Sequence, residues 1–110
     1  VVELINIEKA LDFIRDNAEP LAMAKASRIY LEQYRKSKKA LLYIDAPEGT
    51  IDSKTSYAYA HEEYLHLLAE LRMAVEEEEK LKWMMVAAQA KIEIYRTESA
   101  NNRFIDKAHT

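Results

Sequence analysis

One spacing constrains this chain more than anything else in it. Tyr64, Leu67, Leu71, Ala74, Glu78, Leu81, Met85, Ala88, Ile92 and Tyr95 follow one another in steps of three and four. That is roughly five heptads of one helix, with Glu78 as the discordant member. A strand period of two cannot carry the same pattern. With one Gly and two Pro in 110 residues, the chain also has few places to turn. The expected class is all-α: a short N-terminal helix and a long antiparallel helical hairpin with coiled-coil-like packing, forming one domain over 1–110.

The pattern sets the expected boundaries. A first helix spans about 7–17, with Asn6 as N-cap and Leu4, Ile7, Leu11 and Ile14 as its stripe. Pro20 fits the first turn of a second helix, 20–45, where its missing N–H is harmless. The seam expected for that helix is Met23, Ser27, Tyr30, Tyr34, Ser37, Leu41 and Ile44. Ala46-Pro47-Glu48-Gly49-Thr50 breaks it, giving a loop over 46–53 with Asp52 or Ser53 as the next cap. A short helix, 54–60, then bends near His61 into a long one, 61–107.

At about 1.5 Å per residue, positions 61–97 span roughly 55 Å and 20–45 roughly 39 Å, so the second helix cannot cover the third. Trp83-Met84-Met85-Val86-Ala87-Ala88 is apolar around the whole helix circumference, a character that asks for burial on every side. A homo-oligomer is expected, with Leu81, Trp83, Met84, Met85, Ala88, Ile92 and Tyr95 at its interface. Cover by the first helix is the intramolecular alternative.

Chemistry is hard to place on this chain. It has no Cys, so disulfides, thiolate metal sites and Cys nucleophiles are excluded. His61 and His66 are five apart, whereas two zinc ligands on one helix face need a spacing of four. Glu63 and His66 make one Glu-x-x-His step, but a di-iron bundle needs two plus further Glu. Asp106 and His109 are the nearest second step. Gly49 stands alone, so no glycine-rich phosphate loop exists, and no nucleophile elbow is present. No enzyme, metal or cofactor is expected.

Charge is the remaining signal. The net value of −3 hides a basic segment, 20–46, with six cations against Glu32 and Asp45. Lys and Arg neutralise phosphates and aromatic faces stack on unpaired bases, which suits single strands. Arg28, Arg35, Lys36, Lys38 and Lys39 are the candidate nucleic-acid contacts. Against this, Tyr30 and Tyr34 fall on the expected seam. A hairpin closed near residue 53 would also set Glu76–Glu79 against the Arg28 region, and Glu32 can bridge Arg28, Arg35 and Lys36 at helical spacings.

Two motifs carry a resemblance. Tyr30-Leu-Glu-Gln-Tyr34-Arg35-Lys36-Ser37 precedes a long helix with Glu79-Lys-Leu-Lys-Trp83, Ala87-Ala-Gln-Ala-Lys-Ile-Glu-Ile-Tyr95-Arg96 and Ala100-Asn-Asn-Arg103. Over about 26–103 this looks like small phage-encoded helical recombination-accessory proteins. In organisation it is similar to recombination mediators of the phage T4 UvsY kind. The resemblance implies a ring-like oligomer that binds single-stranded DNA and helps load a RecA-like recombinase or annealing protein. It implies DNA contacts at Arg35, Lys36, Lys38 and Lys39, and a subunit interface at Leu81, Met85, Ile92 and Tyr95. The alternative is a helical structural or adaptor protein that works through protein contacts alone. No apolar run approaches the roughly 18–20 residues of a membrane span, and a cytoplasmic location is the simplest expectation.

Overall fold

A computed structural model describes residues 6–109, and among them every element is helical: α1 is Ile7–Asp45, α2 Ile51–Ala60 and α3 Glu62–His109. Asn6 caps α1 as expected, its Oδ1 accepting from the Lys9 N–H at 3.0 Å. Leu4, placed on the first stripe above, lies outside the described residues.

The expected break at 18–19 does not occur, for α1 runs unbroken through Pro20. An interior proline removes one backbone hydrogen bond and crowds the carbonyl four residues back, at a cost of about 3 kcal/mol. Strong helix formers on both sides, Ala18 before it and Leu21, Ala22, Ala24 and Lys25 after it, keep the helix going. The half-buried positions also continue across it as Ile14, Asn17, Leu21 and Ala24.

The short helix starts earlier than expected. Thr50, rather than Asp52 or Ser53, is its N-cap: Thr50 Oγ1 accepts from the Ser53 N–H at 3.1 Å, and Ser53 Oγ donates to the Thr50 carbonyl at 3.0 Å. The loop shrinks to 46–50. Gly49 serves here by its size, because a Cβ on it would sit 2.4 Å from that Ser53 hydroxyl. The bend at His61 is present. His61 ends α2 in an extended conformation, its backbone N–H donating to the Ala58 carbonyl, and its Nδ1 accepts from the Glu63 N–H at 3.1 Å, so the backbone of one residue closes one helix and its side chain opens the next.

The chain divides into two compact units, 22–79 and the pair 1–21 with 80–110. In 22–79, α1 and α3 run antiparallel, Leu42 packing with Ala58 and Tyr64, and Arg28 meeting Glu78. Tyr43 and Leu68 flank the first cluster, and the Tyr59 ring meets Tyr64 edge-on at 5.4 Å. In the other unit Ala10, Leu81 and Ala88 are buried, and Ala10, Phe13, Met84 and Ala88 line one groove between the helices. On α3 the expected heptad positions from Tyr64 to Ile92 are all buried or half-buried, and only Tyr95 is exposed.

On α1 the expected seam is overturned. Met23, Ser27, Tyr30, Tyr34, Ser37, Leu41 and Ile44 all face solvent, and the side turned to α3 is Ala24, Arg28, Leu31, Arg35, Lys38 and Leu42. The two sets have the same steps, offset by one residue, or about 100° around the helix. The inner set prevails because Arg28 and Lys38 find carboxylates on α3 and Leu42 finds Ala58 and Tyr64.

Candidate helix-face interface

The basic helix spends much of its charge inside the fold. Arg28 donates through both Nε and Nη2 to the Glu78 carboxylate (the latter at 3.2 Å) and through Nη1 to Glu32 at 3.0 Å. These bonds, first to Glu78 and then to Glu32, push the guanidinium pKa further up. Glu78, the discordant residue of the α3 heptads, is thus the acidic half of a polar layer that fixes register.

Lys38 Nζ lies 2.8 Å from a Glu63 carboxylate oxygen. That bond raises the Lys38 pKa and lowers that of Glu63. Lys39 Nζ sits 4.4 Å from the centre of the Tyr59 ring, within cation–π range. Of the five expected phosphate contacts, only two are uncommitted. Arg35 is half-buried and forms no ion pair among the described residues, and Lys36 is exposed.

The seven expected interface residues separate in the same way. Leu81, Met85, Ala88 and Ile92 occupy the inner α3 positions, whereas Trp83, Met84 and Tyr95 are exposed. The histidines do not converge: His61 is a cap, His66 Nε2 lies 3.1 Å from Glu70, and Glu63 is held by Lys38. Among the described residues no group of three or more metal-binding side chains exists, and no helix is long and apolar enough to cross a membrane.

What the fold leaves open is a stripe along α1. Met23, Ala26, Ser27, Tyr30, Gln33, Tyr34, Ser37, Ala40, Leu41 and Ile44 are all exposed and none is charged. The large members keep much of their surface in water: Met23 62 %, Tyr30 66 %, Tyr34 39 %, Leu41 54 % and Ile44 75 %. All seven charges between 23 and 44 lie off it, and three of them, Arg28, Arg35 and Lys38, are on the inner face. The outer side of this helix is therefore less charged than its packed side, the reverse of an ordinary surface helix. Tyr30 and Tyr34 stack upon it with rings 6.0 Å apart and 4° from parallel. Beside them Ala26, Ser27, Tyr30 and Leu31 line a shallow groove.

The repeat of this stripe is plain in the sequence, but its partner is not. Two heptad patterns interleave on α1, and periodicity alone favours the more apolar. The clue was the confinement of every charge to the other positions. Compared with protein families, curated proteins and solved structures, the chain matches none of them.

Proposed function

We propose that this chain is a non-catalytic helical protein that works through protein contacts, presenting the uncharged face of α1 to a partner helix. The observation that carries this reading is the ten-residue stripe Met23–Ile44, exposed, free of charge and in register for helix packing. The internal pairing of Arg28, Lys38 and Lys39 supports it further, by withdrawing cations from any phosphate surface.

A second reading has its own observation. The parallel, exposed rings of Tyr30 and Tyr34, with Lys36 exposed on another side of the same helix, offer a stacking surface for unpaired bases and a cation for the backbone, as a single-strand DNA-binding recombination accessory protein requires. Its phage and recombinase context rests on the sequence resemblance alone.

Anisotropy of a labelled oligo-dT at low and moderate salt separates the two. The protein-contact reading expects no binding at low salt. Binding that weakens steeply with salt and vanishes in Tyr30→Ala/Tyr34→Ala/Lys36→Ala would replace it with the DNA reading.

A further inference from the structure

We propose that the occupant of the α1 stripe is a second copy of this chain, lying antiparallel along it; this rests on the protein-contact reading above. The stripe offers enough length, from Met23 to Ile44 or about 32 Å of helix. It offers enough area as well. Its five large side chains alone leave roughly 600 Å² in water, and a standard interface takes about 800 Å² from each partner. The small residues between them supply most of the remainder.

The stripe also complements itself. Set antiparallel in heptad layers, Ser27 meets the second copy's Ile44, Tyr30 meets its Leu41 and Tyr34 meets its Ser37; the two-fold axis repeats each layer. Large faces small in four of the six layers, and Tyr faces Leu in the other two. A parallel arrangement would instead set Tyr30 and Tyr34 each against itself, and likewise Ser27 and Ser37, alternating crowding with voids. One surface that fits its own rotated copy is the mark of a two-fold interface. No charge enters these six layers, so none must be desolvated, and Met23, which falls opposite Glu48 beyond the end of α1, lies outside them.

The site is also continuous with packing already in place. Leu31, half-buried on the inner face, lines the groove with Ala26, Ser27 and Tyr30. At Tyr34 the stripe also borders α3, sharing a cleft with Glu63, His66 and Leu67, so a second helix would settle on the stripe beside α3.

The experiment is sedimentation velocity over a wide concentration range, with circular dichroism for helicity. Wild type is expected to dimerise. Tyr30→Glu/Leu41→Glu changes only exposed positions, so it should keep its helicity and weaken self-association by about a hundredfold or more, since each dimer would bury unpaired carboxylates. Cysteine cross-linking tests orientation, because the chain has no Cys of its own. Ser27→Cys/Ile44→Cys should oxidise to a covalent dimer, whereas Ser27→Cys alone should not.

A wild-type monomer throughout the range overturns the proposal. If oligo-dT binding is also absent, the protein-contact reading survives with a foreign partner. If oligo-dT binds and the stripe variant abolishes it, both fall. A dimer untouched by the stripe variant but lost in Trp83→Glu moves the contact to α3 and overturns this placement. A disulfide dimer of Ser27→Cys alone overturns the antiparallel arrangement.

Discussion

At the scale of single residues, the caps and pairs around α2 do the most definable work. Thr50 Oγ1 accepts from the Ser53 N–H and so satisfies a free donor at the start of α2. Thr50→Ala should lower unfolding free energy by about 1 kcal/mol in urea titrations. Gly49→Ala should cost less, since only the Ser53 hydroxyl must swing away from the added Cβ. An equal loss from both variants would mean that the Ser53 bond, not the Thr50 cap, holds the turn.

The Lys38–Glu63 pair makes a pH prediction. Glu63 titrates below its ordinary 4.5 when folded, so its contribution is present above that value and is lost as pH falls through the folded pKa. Lys38 is shifted upward from 10.5, so its share is present below that value and disappears at higher pH. Glu63→Gln should therefore lower the urea midpoint slightly at pH 7 and by less at pH 3. A deficit of the same size at both would assign the loss to packing rather than charge. The effect is small because the carboxylate is more than half exposed.

At the scale of elements, the neighbours Leu41 and Leu42 decide which face of α1 is inside. Leu42 is 4 % exposed against Ala58 and Tyr64, so Leu42→Ala should cost about 2–5 kcal/mol. Leu41→Ala should cost well under 1 kcal/mol when measured at concentrations too low for self-association. The seam read from periodicity alone predicts the reverse order. α3 was legible from Tyr64 to Ile92 because one heptad set outweighs every other on it; Glu78 is inside despite its charge, and Tyr95 is exposed against expectation. α1 was legible as helical on either side of Pro20, but neither its continuity nor its rotation was. Its inner face contains Arg28, Arg35 and Lys38, which hydropathy scores as outside, and only the positions of Glu78 and Glu63 on α3 make that orientation favourable.

Pro20 misled for a related reason. Locally a proline starts a helix, and what overrides it is the helix-forming sequence on either side. Pro20→Ala restores a hydrogen bond but loosens the unfolded chain, so it should stabilise by about 2 kcal/mol by urea unfolding. No gain would mean that the helix has already adjusted to the missing bond. The candidate nucleic-acid residues were legible only as a composition: whether a cation is free depends on what α3 sets opposite it, and spacing within α1 does not say.

At the scale of the whole molecule, the core is thin. The buried hydrophobics are Ala10, Leu42, Ala58, Tyr64, Leu67, Leu81 and Ala88, three of them alanines, and no large side chain among the described residues is fully buried. The chain exposes 8824 Å², against about 6,300 Å² expected for a folded monomer of its 12.8 kDa mass. So little burial leaves a small margin over conformational entropy, and association is the direct way to enlarge it. If folded chains pair through the α1 stripe, unfolding and dissociation are linked, and stability must depend on concentration. For a dimer that unfolds to two chains, each tenfold rise in concentration adds about 1.4 kcal/mol per dimer. Wild-type thermal midpoints should climb steadily with dilution reversed, while Tyr30→Glu/Leu41→Glu should melt at one temperature throughout, near the dilute wild-type value. Parallel climbs in both proteins would show that pairing uses another face. A flat wild-type line would show that the thin core suffices alone, and that the exposed stripe awaits a different protein.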